Sequence, residues 1–318
     1  MRAAVLIASL AATPAAGDFS LVQPVDCVLD QDCYIQQYMD HDPSDAAHDF
    51  ACGSLTYDTH KGTDFALPTL AAQAAGVNVL AAAAGTVVGV RNDMVDALQV
   101  GPDAPDVSDR FCGNGLVIRH TGGFETQYCH MAQGSVIVTA GQSVEAGDVL
   151  GQIALSGQTQ FPHLHLSVRR FGKPIDPFNA DGVQSCPDTT QPSLWADDIA
   201  TPAGGIVEIG LSDKVPDFDD VKAGTASVEI ARDSPALVGW SHVFGIRDGD
   251  QLLSRFTRPD GTSFDHTDDF TRTQARIFRA FGKRTPRGGW PRGAYVLEVV
   301  HLRDAVELDR ATLNFEID

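Results

Sequence analysis

Five side chains suited to holding and using a metal ion come from three short stretches of this 318-residue chain: His60-Lys-Gly-Thr-Asp64-Phe65, Tyr128-Cys-His130 and His163-Leu-His165. Two imidazoles and a carboxylate can fill three of the four tetrahedral positions around zinc and leave the fourth to water. That is the ligand count of a catalytic site. His163 and His165 stand two apart in a segment that reads as a strand, so alternation projects both imidazoles from one face. Asp64 follows His60 by four residues across Gly62. This spacing fits either one helix face or a strand entered through a turn at the glycine, and the strand is the favoured reading.

The elements around these residues are strand-like. From His60 to about Pro177, β-branched runs punctuated by glycine predict strands at Asn78–Ala81, Gly85–Val90, Gly115–His120, Phe124–Cys129, Gly134–Val138 and Val149–Ile153. Gly141–Gly147 reads as a turn, and the acidic, proline-containing stretch 92–110 as an inserted surface loop. Pro, Thr, Ala and Gly then mark a linker, after which Ile206–Leu211, Ala236–Gly245, Leu252–Phe256, Arg276–Phe281, Tyr295–Leu302 and Ala311–Ile317 alternate as in a two-sheet sandwich. The expected fold is all-β. An antiparallel domain at 60–186 is followed by a linker at 187–204 and an immunoglobulin-like sandwich at 205–318.

Composition bounds the compartment and the partners. Met1-Arg2, the apolar run Ala3 to Ala12 and a small-residue stretch predict a signal peptide at 1–17, with a cysteine-containing lead-in segment at 18–59. Six cysteines in the absence of any Cys-x-x-Cys pair favour disulfides over zinc thiolates. Cys27 and Cys33 are near enough for a local bridge. No later segment is long and apolar enough for a membrane span, so the expected location is periplasmic or secreted. A net charge of −19, from 42 acidic and 23 basic residues, excludes long-range attraction for polyanions and counts against nucleic acid.

The order of motifs adds a resemblance. His60-Lys-Gly-Thr-Asp64-Phe, Gly113-Asn-Gly-Leu-Val-Ile-Arg-His120, Tyr128-Cys-His130-Met, Gly141-Gln-Ser-Val-Glu-Ala-Gly and Pro162-His-Leu-His-Leu166 resemble the lysostaphin-type zinc metallopeptidases that cut peptidoglycan peptides. The resemblance covers roughly residues 57–178 and ends at Pro174-Ile-Asp-Pro177. It implies that His60, Asp64 and His165 hold zinc while His130 and His163 manage protons or the developing oxyanion, with His163 taken as the partner of the water. His120 is given a structural place on its strand. Three departures stand around the histidine pair: the family usually has glycine before the proline, where this chain has Phe161; its usual small-residue run is here Ser156-Gly157-Gln158-Thr159-Gln160; and its aromatic after the pair is here Leu166.

Other readings are bland or secondary. His41, Asp42, Asp45 and His48 lack distinctive ligand spacing and read as a solvated loop, while His242, His266 and His301 read as core or surface histidines. Arg119, Arg169 and Arg170 lie where they could meet carboxylates of wall peptides. The sequence leaves open a non-catalytic wall-binding or hydrolase-regulating module, a secreted metallopeptidase acting on proteins, and a protein regulator as a second partner.

Overall fold

The structure, a computed structural model, describes residues 19–182 and 192–318. The expected signal peptide, Cys186 and the first residues of the expected linker lie outside the described residues.

Ten strands make up the first part: β1 (Tyr34–Gln37), β2 (Thr63–Ala66), β3 (Asn78–Leu80), β4 (Gly85–Arg91), β5 (Asn114–Arg119), β6 (Phe124–Met131), β7 (Ser143–Val144), β8 (Val149–Gln152), β9 (His163–Arg170) and β10 (Lys173–Ile175). Eight of them form one antiparallel sheet in the order β1-β2-β9-β6-β5-β4-β7, with β10 added on β9, while β3 and β8 pair separately. β9 therefore lies between β2 and β6, the strands that carry Asp64 and His130. The one α-helix among the described residues of this part, α1 (Leu70–Ala75), is a short turn-and-a-half capped by Thr69.

Two expectations about local structure change. Gly134–Val138 is not a strand: Gly134 has φ 75° in a turn and Ile137 is 67 % exposed, although Val136 and Val138 are buried in the core. It lies along β8 through the Ile137 N–H to Leu150 O bond. The glycine-bounded step 141–147 is a turn that also contains the two-residue β7, paired with the start of β4.

The lead-in segment is not a separate appendage. Leu21, Tyr34, Ile35 and Tyr38 are buried in the same core as Phe65, Tyr128, Leu164 and Leu166, and Trp195 joins them from further along the chain. Burial of each such side chain contributes about 1.5–3 kcal/mol, so this segment is part of what holds the sheet. Disulfides tie Cys27 to Cys33 and Cys112 to Cys129, and Cys52 is disulfide-bonded as well.

The second part contains β11 (Gly205–Ser212), α2 (Phe218–Ala223), β12 (Ala236–Ile246), β13 (Gln251–Thr257), β14 (Ser263–Asp269), β15 (Gln274–Arg284), β16 (Gly293–Arg303) and β17 (Val306–Ile317). A three-stranded sheet, β11-β12-β15, and a four-stranded sheet, β14-β13-β16-β17, enclose a core that includes Leu237, Val243, Phe256, Ile277, Tyr295 and Leu297. The constant-type immunoglobulin arrangement would put the fourth strand on the sheet of the first. Here β14 pairs with β13 instead, so the architecture is a sandwich with that edge strand switched.

The two parts touch. Tyr34 packs on Phe244 with ring centroids 4.8 Å apart, and Gln36 Nε2 donates to Ala275 O at 3.2 Å. Arg303 reaches from β16 to Ala203 O and Gly245 O while pairing with the buried Asp250.

Candidate metal centre and cleft

Register assembles the centre. In the β2–β9 ladder Asp64 lies directly opposite His165 and Ala66 opposite His163, so the strand alternation places both imidazoles and the carboxylate on one face. His60 arrives from the turn before β2. Gly62 makes that approach possible, because a Cβ there would lie 2.6 Å from the His165 ring. Tyr38, wedged edge-on between Phe50 and Phe178, offers its carbonyl to His60 Nδ1 at 2.6 Å.

Three donor atoms result. His60 Nε2 lies 3.2 Å from Asp64 Oδ1 and 3.1 Å from His165 Nδ1, and His165 Nδ1 lies 2.8 Å from Asp64 Oδ1. Donors placed about 2.0–2.1 Å from a tetrahedral zinc stand roughly 3.3 Å from one another, so this triangle fits a zinc ion at its apex. The hydrogens agree with that fit. A carbonyl only accepts, so His60 carries its hydrogen on Nδ1 and turns the Nε2 lone pair inward; His165 engages Ser167 Oγ through Nε2 at 2.9 Å and turns Nδ1 inward.

His130 and His163 stand beside this triangle with ring centroids 4.6 Å apart. Both are buried, and both anchor Nδ1 on a backbone carbonyl: His130 on Ser156 O at 2.8 Å, His163 on Phe161 O at 2.9 Å. Their Nε2 atoms are therefore the ones free to act, and His163 Nε2 is 3.6 Å from Asp64 Oδ1. His130 has φ 64° at the end of β6, where the β5–β6 register slips between Asn114 and Leu116. A bulge with a left-handed residue re-aims its side chain, which brings His130 onto the site although strict alternation from Cys129 would point it away. Gly115 opposite permits the close approach, since a Cβ there would lie 1.9 Å from Tyr128 O.

Electrostatics divides the groups. Burial alone would raise the Asp64 carboxyl, but the imidazoles of His60 and His163 and the hydrogen bonds from His165 and His60 hold it well below the carboxylate range. Burial lowers His130 strongly, with His163 and His165 adding to it, and burial lowers His163 against the pull of Asp64. Both imidazoles are thus neutral near pH 7 and can accept a proton.

The centre lies at the floor of a cleft of about 790 Å³. Phe111 and Cys112, at the end of the inserted acidic stretch, form part of its rim, and the Cys112–Cys129 bridge ties that rim to β6. Tyr57 stacks on His60 at 4.5 Å and also lines it. From the second part of the chain come Ala275 and Arg276.

Other histidines fall elsewhere. His120 bridges Ala84 O and Thr126 Oγ1, His41 pairs with Asp176 of the Pro174–Pro177 motif at 2.7 Å, and His301 is buried against Asp250. None of the three arginines lines the cleft, although Arg169 bonds Gln127, which does. Arg119 meets Glu125, Arg169 donates to Gln127 Oε1, and Arg170 lies over Phe124. Sequence reasoning did not find Ser167, although its place two residues after His165 puts it on the same face; Arg276 carries no local signal at all.

The fold and this site define a peptidase domain: residues 58–177 match Peptidase family M23. Within this chain those residues are a Peptidase family M23 domain. Over 122 residues the chain is 30 % identical to the peptidoglycan DD-endopeptidase ShyB of Vibrio cholerae serotype O1, covering 38 % of this chain and 23 % of that protein. It is 35 % identical over 79 residues to the DD-carboxypeptidase/endopeptidase Mpg of Neisseria meningitidis serogroup B, covering 25 % of this chain and 17 % of that protein. The chain thus spans less than a quarter of the length of these relatives. Among solved structures, a zinc containing peptidase from Vibrio cholerae is 26 % identical, with 51 % of this chain and 40 % of that chain covered and a TM-score of 0.35.

Proposed function

We propose that the protein is an exported, zinc-dependent endopeptidase that hydrolyses peptide bonds in peptidoglycan cross-links or stem peptides, with His60, Asp64 and His165 as ligands and His130 and His163 as catalytic residues. The observation that carries this reading is the donor triangle of 2.8–3.2 Å with two neutral imidazoles beside it. When bound, zinc supplies Lewis acidity toward water and the scissile carbonyl. The remaining work belongs to the chain. His163, with Nε2 facing Asp64, accepts the proton of the attacking water and returns it to the leaving amine, while His130, whose Nδ1–H is held by Ser156 O, takes up a solvent proton at Nε2 as charge develops and then donates it in a hydrogen bond toward the oxygen that gains charge.

The activities of the two relatives support peptidoglycan as substrate, and a wall substrate fits work in the periplasm or cell wall. The disulfides fit an oxidising compartment, and no helix among the described residues is long and apolar enough to cross a membrane. The two hydrophobic cores support a catalytic domain at 60–186, to which the lead-in 18–59 contributes core residues, and a sandwich at 205–318. Digestion of purified wall material by the zinc-loaded protein, with identification of the new amino termini, tests the proposal. Cleavage at a peptide bond that stops in His60→Ala is expected; a wild type that binds zinc and releases nothing would refute it.

A further inference from the structure

An acidic protein would be expected to present an acidic cleft, and this one does not. Among the described residues lining it, Asp64 is the sole carboxylate and is committed to the imidazoles, whereas Lys61 and Arg276 are cations. Arg276 has no carboxylate partner within 4 Å among the described residues, in contrast with Arg303 and Arg310 of the same sandwich. It is nonetheless held in place. Its guanidinium lies 4.3 Å from the centre of the Phe161 ring, it sits beside the buried Tyr34 hydroxyl, and the neighbouring Ala275 carbonyl is fixed by Gln36 Nε2 at 3.2 Å.

Phe161 links this cation to the chemistry. The same ring stacks on His163 with centroids 4.3 Å apart and an interplanar angle of 23°, and its carbonyl anchors His163 Nδ1. Phe161 is also the residue that stands where the resembled family has glycine. Phe161, a departure beside the histidine pair, and Arg276, the one cation that the sandwich extends into the cleft among the described residues, are therefore one contact.

We propose that Arg276, set by Phe161 and the Tyr34–Gln36 edge of β1, is a specificity-determining residue that binds a free carboxylate of the substrate peptide. The sandwich thereby completes a subsite that the catalytic domain lacks. This rests on the reading of the cleft as a peptide-binding site. A planar guanidinium stacked on a ring keeps its outward N–H groups in fixed geometry for a carboxylate, and in a half-buried cleft such a charge-assisted pair contributes about tenfold in affinity. Pairs of this kind weaken as salt rises.

The test uses the full zinc-loaded chain and two preparations of the same muropeptides, one native and one with its carboxylates converted to amides. Binding is measured by calorimetry and cleavage is followed in parallel. Wild type is expected to bind the native form about tenfold more tightly, with the difference shrinking at high salt, while Arg276→Gln binds both alike with zinc content and melting temperature unchanged. Equal affinity of wild type for the two forms, binding of neither, or a preference that survives in Arg276→Gln would overturn the assignment. The comparison of peptides needs no variant to fold. An uncleaved muropeptide bound with this preference retains the subsite and removes the peptidase reading; cleavage with no preference does the reverse.

Discussion

Asp64 and His165 face each other across the β2–β9 ladder, and their donor atoms, Oδ1 and Nδ1, stand 2.8 Å apart. This pairing joins two sequence-distant motifs in one register step, and a shift of one residue would turn every member of the set to the opposite face. Asp64→Asn keeps the shape and removes the charge that balances two imidazoles. Zinc affinity is expected to fall by more than about 100-fold with the fold retained. Metal titration beside circular dichroism checks it, and full occupancy in the variant would remove Asp64 from the ligand set.

Ser167 acts one bond further out. Its hydroxyl meets His165 Nε2 at 2.9 Å and fixes which nitrogen faces the centre. Ser167→Ala is expected to weaken zinc binding by about 10- to 100-fold, a smaller loss than in Asp64→Asn. Competition with a chromogenic chelator measures the difference. Unchanged affinity would mean that strand packing alone orients the ring.

His130 and His163 should separate binding from turnover. Each has Nδ1 committed to a carbonyl and lies outside the donor triangle, so alanine at either position is expected to leave one zinc per chain while kcat drops by about 10²- to 10⁴-fold. Zinc analysis and initial rates on the same preparations decide it. Loss of metal with His163→Ala would make that imidazole a ligand instead.

How much of this was legible depends on the period of the signal. The motifs at His60–Phe65 and His163–His165 state their own geometry, because a strand repeats every two residues and the ligand types are chemically restrictive. Ser167 obeys the same period and was within reach. His130 was legible as a residue but not as a geometry, since the bulge and φ of 64° that aim it depend on pairing with β5. β14 escaped because Ser263–Asp269 is a polar edge strand with Phe264 its one buried side chain, and edges are protected by charge rather than marked by alternation. Gly134–Val138 misled for a different reason: Val136 and Val138 do alternate into the core, but a turn takes up the start of the run and no strand ladder forms there. The Phe161–Arg276 contact joins two parts of the chain through tertiary packing alone, and no local pattern encodes it.

Arg303 tests a buried ion pair within the sandwich. Its guanidinium donates to Asp250 Oδ2 at 2.7 Å and to Gly245 O at 2.7 Å, while Asp250 is buried and also bonded by His301. Removing one partner of a buried pair leaves an uncompensated charge, so Arg303→Ala is expected to cost about 3–5 kcal/mol. Arg310→Ala at the exposed pair with Glu307 should cost at most about 1 kcal/mol. Urea unfolding of the two variants compares them, and similar midpoints would show that the Asp250 cluster is as dispensable as a surface pair.

His242 supplies the pH dependence. It is fully buried beside Phe218, neither ring nitrogen has a hydrogen-bond partner among the described residues, and burial, aided by Arg276 and Lys222, holds its pKa down to about 3. In the unfolded chain the same ring titrates near 6.5, so below that pH the unfolded state binds the extra proton. Stability from this residue is complete above about pH 6.5 and declines by about 1.4 kcal/mol per pH unit as the pH falls toward 3. His242→Leu should therefore reduce the pH slope of unfolding free energy between pH 6 and 4 by about one proton and raise stability at the acid end. Urea midpoints of wild type and variant at several pH values in that range measure it. Parallel profiles would mean that the imidazole is already protonated, or hydrated, inside the folded sandwich.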